Sequence, residues 1–93
     1  MEKAKHTHFI ILESYYFSCN GAYEIMQENE PTTVCHSREE CEQFIGERLS
    51  VPSETVPSYW VESLDGYRKE TKYEDEDTGA ECCDTLVFRI REV

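Results

Sequence analysis

Cysteine and histidine are the residue types here best able to do chemistry. Cys35, His36 and Cys41 stand close together, and Cys82 and Cys83 are adjacent, so four or five soft ligands would surround a zinc ion if the two groups met in space. The spacing is against a standard site: there is no C-x-x-C pair, and neighbouring Cys82 and Cys83 do not easily share one tetrahedral ion. The plainer reading makes Cys41 a small core residue and the others semi-buried thiols. A metal- or redox-responsive domain built on Cys35, Cys41, Cys82 and Cys83 stands as the alternative function. The run Asp75-x-Asp77-x-Gly79 echoes a calcium loop, but its glycine comes one position early and Leu86 stands where the closing glutamate belongs. Catalysis has little to work with. Cys35 and His36 are sequence neighbours whose side chains diverge, His6 and His8 sit at the N-terminal edge, and there is no nucleophile elbow or glycine-rich phosphate loop. No enzyme activity and no cofactor are expected.

Acids are the second kind of chemistry. The stretch 74–84, EDEDTGAECCD, holds six carboxylates (Glu74, Asp75, Glu76, Asp77, Glu81, Asp84) and no base, and a second group, Glu39, Glu40, Glu42 and Glu47, falls in a helical segment. Over the whole chain, 20 acids against nine Lys and Arg give a formal charge of -11. A field of that sign repels nucleic acid and anionic lipid and attracts basic protein surfaces, so a protein partner is expected and direct binding to DNA, RNA or a membrane is not. Carboxylates spaced along a loop and a helix can stand in for phosphates in a groove built for nucleic acid. The plainer reading is a solvated charge run that keeps a small protein dispersed. Tyr59, Trp60, Tyr67 and Tyr73 crowd one later segment, where exposed rings would anchor a complex and buried ones would pack a strand.

The elements that position these residues follow from period and turn chemistry. His8 to Phe17 is apolar on both alternating faces, which predicts a strand with neighbours on both sides. Asn20-Gly21 predicts a two-residue hairpin turn and Ala22–Gln27 the returning strand, broken at 28–31 by Glu-Asn-Glu-Pro and resumed briefly at Thr32–Val34. Ser37 and Glu40 form a capping box, and Cys41, Phe44, Ile45 and Leu49 give the helix after it one apolar stripe. VPSETVP, residues 51–57, reads as a loop, Tyr59–Leu64 and Tyr67–Tyr73 as a hairpin about Asp65-Gly66, 74–84 as a solvated loop and Thr85–Val93 as a half-buried strand. The sum is ββαβββ, a single α+β domain over residues 1–93: a mainly antiparallel sheet of four to five strands, one helix on a face and a frayed lead at 1–7. An open sheet edge leaves room for a homodimer. There is no 18-residue apolar run and no secretory pattern, so a cytoplasmic location with five free thiols is expected.

In size, acidity, free thiols and lack of catalytic motifs, the chain resembles the phage-encoded inhibitors of bacterial defence, the anti-CRISPR and anti-restriction proteins. The resemblance lies in overall character and not in positions. It implies an inhibitor or adaptor in the host cytoplasm, binding a nucleic-acid-processing protein through Glu74–Asp84, the acidic helix face and the rings of Trp60, Tyr67 and Tyr73.

Overall fold

Asn20 and Gly21 take φ of 56° and 88° and turn β1 (Phe9–Cys19) directly into β2 (Ala22–Cys35), as their residue types require. The computed structural model describes residues 8–93, so the frayed lead expected at 1–7 lies outside the described residues. β2 does not break at 28–31. It continues to Cys35, and three register shifts against β1 absorb the extra residues, with Asn29 at φ 50°. Local side chains replace the lost ladder bonds: the buried Ser14 hydroxyl accepts the Asn29 amide at 2.9 Å, and the Thr32 hydroxyl donates to the Ile11 carbonyl at 3.2 Å. Pro31 is tolerated because β2 is the edge strand.

α1 (Arg38–Leu49) starts where the capping box places it. The Ser37 hydroxyl accepts the Glu40 amide at 3.1 Å, and the Glu40 carboxylate reaches back one residue past the cap to the His36 amide, 2.8 Å away. Cys41, Ile45 and Leu49 are buried, and Phe44 packs beside them. Gly46 is where the chain folds back on its own helix: a Cβ there would lie 2.9 Å from the Val51 carbonyl oxygen. That return, Ser53–Tyr59, forms 3-10 turns where a loop was expected, and it brings Val56 into the core. β3 is accordingly cut to Trp60–Val61, because a further 3-10 turn takes Glu62–Leu64. Asp65, at φ 53°, completes a four-residue connection, and Gly66 already belongs to β4 (Gly66–Glu74), where a Cβ would lie 2.7 Å from the Phe88 carbonyl oxygen. β5 (Glu81–Glu92) begins four residues earlier than the expected Thr85, so the true loop is only 75–80.

The five strands form one antiparallel sheet in the order β2-β1-β5-β4-β3. The fold is α+β. β1 is interior and pairs with β5, which takes the middle place. On one face Ile11, Cys35, Tyr67 and Phe88 meet Cys41, Ile45, Leu49 and Val56 to make the core. Strand alternation puts Leu12, Ser14 and Val87 on the other face, and they are buried as well. There Arg89 ties the two edges together, donating from Nε to the Leu64 carbonyl at 2.9 Å and from Nη1 to Asn29 Oδ1 at 2.7 Å. No helix among the described residues is long and apolar enough to cross a membrane.

Candidate functional site

Register decides which acids share a surface. Glu74 faces Glu81 across the β4–β5 ladder, and the Asn20 amide donates to the Glu81 carbonyl at 2.8 Å, so the two hairpin turns meet at one end of the sheet. Glu74, Glu76, Asp77 and Glu81 are exposed at this tip. Asp75 and Asp84 serve the fold instead. The Asp75 carboxylate accepts the Asp77 amide at 2.7 Å and its carbonyl accepts the Gly79 amide, also at 2.7 Å, which builds the turn. Asp84 is half-buried and accepts the Tyr15 hydroxyl at 2.8 Å, a bond that, with partial burial, pushes the phenol pKa of Tyr15 up. Lys72, paired with Cys83, is the base nearest the turns along the strands.

The helix acids belong elsewhere. Glu39 and Glu40 lie in the first turn of α1, beside the end of the sheet where Phe9 pairs with Cys35 and Glu92. From there to Glu81 is the length of β5, about 36 Å of extended chain. Glu40 is engaged in the helix cap, Glu42 is half-buried, and Glu39 and Glu47 face water. The exposed acids therefore lie on two separate surfaces, the tip and the helix face. The aromatic set divides too. Tyr67 is 3% exposed and packs edge-on against half-buried Trp60, with ring centroids 5.1 Å apart, so it is core and not a docking ring. Its hydroxyl pKa is raised, chiefly by burial. Tyr59 packs against the same core, and only Tyr73 stands exposed beside the tip acids.

The cysteines do not converge. Cys19 and Cys82 face each other across β1 and β5 and form a disulfide, which corrects the expectation of five free thiols and removes Cys82 from any pairing with Cys83. Cys35 and Cys41 are buried together at the opposite end of β1, and Cys83 is a half-buried free thiol. Burial, followed by hydrogen bonding with Cys35, pushes the Cys41 thiol up to about 12, which leaves it a poor ligand and a poor nucleophile. His36 is exposed and its ring meets that of His8 edge-on, centroids 5.0 Å apart. Among the described residues no three Cys, His, Asp or Glu side chains are arranged to hold a metal ion. The set Cys35, His36, Cys41, Cys82 and Cys83 is split between the two ends of the sheet.

Two features had no signal in the sequence. Glu13, 2% exposed, receives Arg48 Nη2 at 2.6 Å on one carboxylate oxygen, while its Oε1 is buried without a partner among the described residues. The second feature is a set of exposed apolar side chains along β2: Tyr23, Ile25, Met26 and Val34. Its alternation was readable as a strand, but exposure depends on β2 being the edge. No protein-family model, curated protein or solved structure matches the chain.

Proposed function

We propose that this chain is a non-enzymatic binding protein that sets the acidic tip of its sheet against a basic surface of a partner protein, of the kind that holds nucleic acid, and acts there as an inhibitor or adaptor. The observation that carries the reading is the exposure of Glu74, Glu76, Asp77 and Glu81 around one turn, in a chain of net charge -11. Such a cluster raises the rate of encounter with a cationic groove, and it displaces the anions condensed there as nucleic acid would. The turn is held by its own backbone and by Asp75, so the exposed carboxylates are presented with little ordering left to do on binding. This is the mode of action expected of an anti-CRISPR or anti-restriction inhibitor.

Capture of partners from a lysate on the tagged chain, at low and high salt, tests it. A nucleic-acid-binding protein should be retained, be released by salt or added duplex DNA, and lose its own nucleic-acid binding while held. Glu76→Gln, Asp77→Asn and Glu81→Gln together should abolish most of the retention. Equal retention by the triple variant sinks the reading.

A further inference from the structure

His8 and His36 are far apart in the sequence and come together only because β1 pairs with β2. Phe9 is opposite Cys35, so the two histidines are the next residues out, one before β1 and one after β2. Both backbones are tied. His8 exchanges two backbone bonds with Val93, N to O at 3.2 Å and O from N at 2.8 Å, and the His36 amide donates to the Glu40 carboxylate at 2.8 Å. Phe9 and Cys35 pack in the core, whereas the His36 ring is exposed and the His8 ring half-buried. The ring centroids are 5.0 Å apart with the planes at 66°, and rotation about the side-chain bonds can turn a nitrogen of each ring to a common point.

That separation is one a shared metal ion would set. Imidazole nitrogen binds zinc at about 2.1 Å and the ring centroid lies about 1.2 Å further, so two bound rings have centroids about 4.5 Å apart at a right angle and about 5.2 Å apart at the tetrahedral angle. We infer that His8 and His36 form a cross-strand site for a divalent transition ion that prefers imidazole, with zinc and copper as its probes. Two protein nitrogens are fewer than the three or four of a resident zinc centre, so the ion is exchangeable, and water or a donor from another molecule fills its remaining positions. Nearby charge is close to balanced, with Glu39, Glu40 and Glu92 against Arg38 and Arg91, so selection rests on the nitrogen donors and not on the local field. The bound ion links the start of β1 to the end of the edge strand β2, at the opposite end of the sheet from the acidic tip. It is independent of the partner that the tip binds.

Thermal melts of the intact chain with zinc(II), and with magnesium(II) as control, test it on a Cys83→Ser background, which removes the free thiol outside the core. An ion held by both strands binds the folded chain more tightly than the unfolded one, so Tm should climb with zinc concentration and stay unchanged with magnesium. His8→Gln and His36→Gln should each weaken zinc binding in calorimetry by about tenfold or more and abolish the climb in Tm. Neither residue belongs to the core, so both variants should fold, which the melts without metal verify. Copper(II) on the parent chain should show two imidazole nitrogens by electron paramagnetic resonance, and one after either change. His6, two residues before His8 in the sequence, supplies the discriminating variant. Zinc binding that survives His36→Gln and is lost with His6→Gln would put the ion on the leading segment alone and overturn the cross-strand site. A Tm that ignores zinc, or climbs equally in the parent chain and in both variants, would leave the two rings as a packing contact and overturn it as well.

Discussion

The two ends of the sheet are stabilised by different means. At the end covered by α1, Ile11, Ile45, Val56 and Phe88 are completely buried, and the helix, the 3-10 turns and four strands share one apolar cluster. At the tip Cys82 is the one buried apolar side chain among the described residues, and what holds the strands together is ladder hydrogen bonding, the bond of Tyr15 to Asp84 and the Cys19–Cys82 disulfide. The helix-covered end uses area removed from water, whereas the tip keeps its side chains outside and relies on a covalent tie. The difference shows how so small a chain presents a charged surface without losing its fold: core and display are at opposite ends of the same strands.

The comparison breaks most visibly if the core is opened. Phe88→Ala should lower stability by about 4 kcal/mol, enough to leave the domain largely unfolded, because it empties a fully buried site facing Tyr67 and the helix. Urea titration followed by circular dichroism reads this, and a loss under about 1 kcal/mol would mean the cluster is not the main support. Reduction of Cys19–Cys82, or the double change to Ser, should come next at about 3 kcal/mol, since the bond joins cysteines 63 positions apart in the chain. Hydrogen exchange should then show the amides near Cys19 and Glu81 opening before those of Ile11 and Phe88. Equal opening at both ends would erase the distinction. Arg48→Met should cost about 2 kcal/mol by leaving the Glu13 carboxylate buried without a counter-charge, and Glu13→Gln in the same chain should recover part of it.

Much of the helix-covered end was legible in the sequence, because its signals are local. The stripe Cys41, Phe44, Ile45, Leu49 and the Ser37–Glu40 cap need no partner to be recognised; at the opposite end Asn20-Gly21 is as local a signal and announces its turn by tolerance of positive φ. Features that depend on strand order were not legible. Glu28–Pro31 reads as a break in any strand except an edge strand able to bulge. Ser53–Tyr59 lacks period because its shape is set by the need to bury Val56 against α1. Glu81–Asp84 joins β5 despite its charge because Cys82, Cys83 and Asp84 each pair with both β1 and β4, a register that also brings Cys82 to Cys19. The acidic site was half legible: charge density located the run 74–84, but only geometry divides its members into the exposed four and the structural pair Asp75 and Asp84.

Titration sharpens the contrast from the buried side. The Cys41 thiol is pushed from 9.0 to about 12, so above pH 9 an unfolded chain sheds this proton while the folded chain keeps it. Protons bound in excess by the native state mean that stability falls as pH rises from about 9 toward 12 and is undiminished by this group below that window. Tyr67, raised in the same direction by burial, adds to the fall at its upper end. Cys41→Ala should flatten the decline between pH 9 and 10 relative to its own stability at pH 7, as measured by urea midpoints. At pH 8, iodoacetamide should modify Cys83 and leave Cys41 untouched until the protein unfolds. Ready labelling of Cys41 in the native protein would contradict a closed core at that end.

The smallest change in stability should come at the tip, and there the size of the effect is itself the test. Glu76→Gln, Asp77→Asn and Glu81→Gln remove three charges from exposed side chains that make no hydrogen bond or ion pair through their carboxylates among the described residues. They crowd a turn whose conformation depends on Asp75, so Tm should move by no more than about 4 °C, and upward if repulsion dominates. Asp75→Asn and Asp84→Asn are the instructive contrasts. Asp75→Asn retains an oxygen for the Asp77 amide, so the turn should survive, whereas Asp84→Asn trades a charged acceptor of the Tyr15 hydroxyl for a neutral one and should loosen the strands near the disulfide. If the triple variant instead lowered Tm as far as Asp84→Asn did, the tip carboxylates would be part of what holds the turn. Display and support would then not be separable at this end of the sheet.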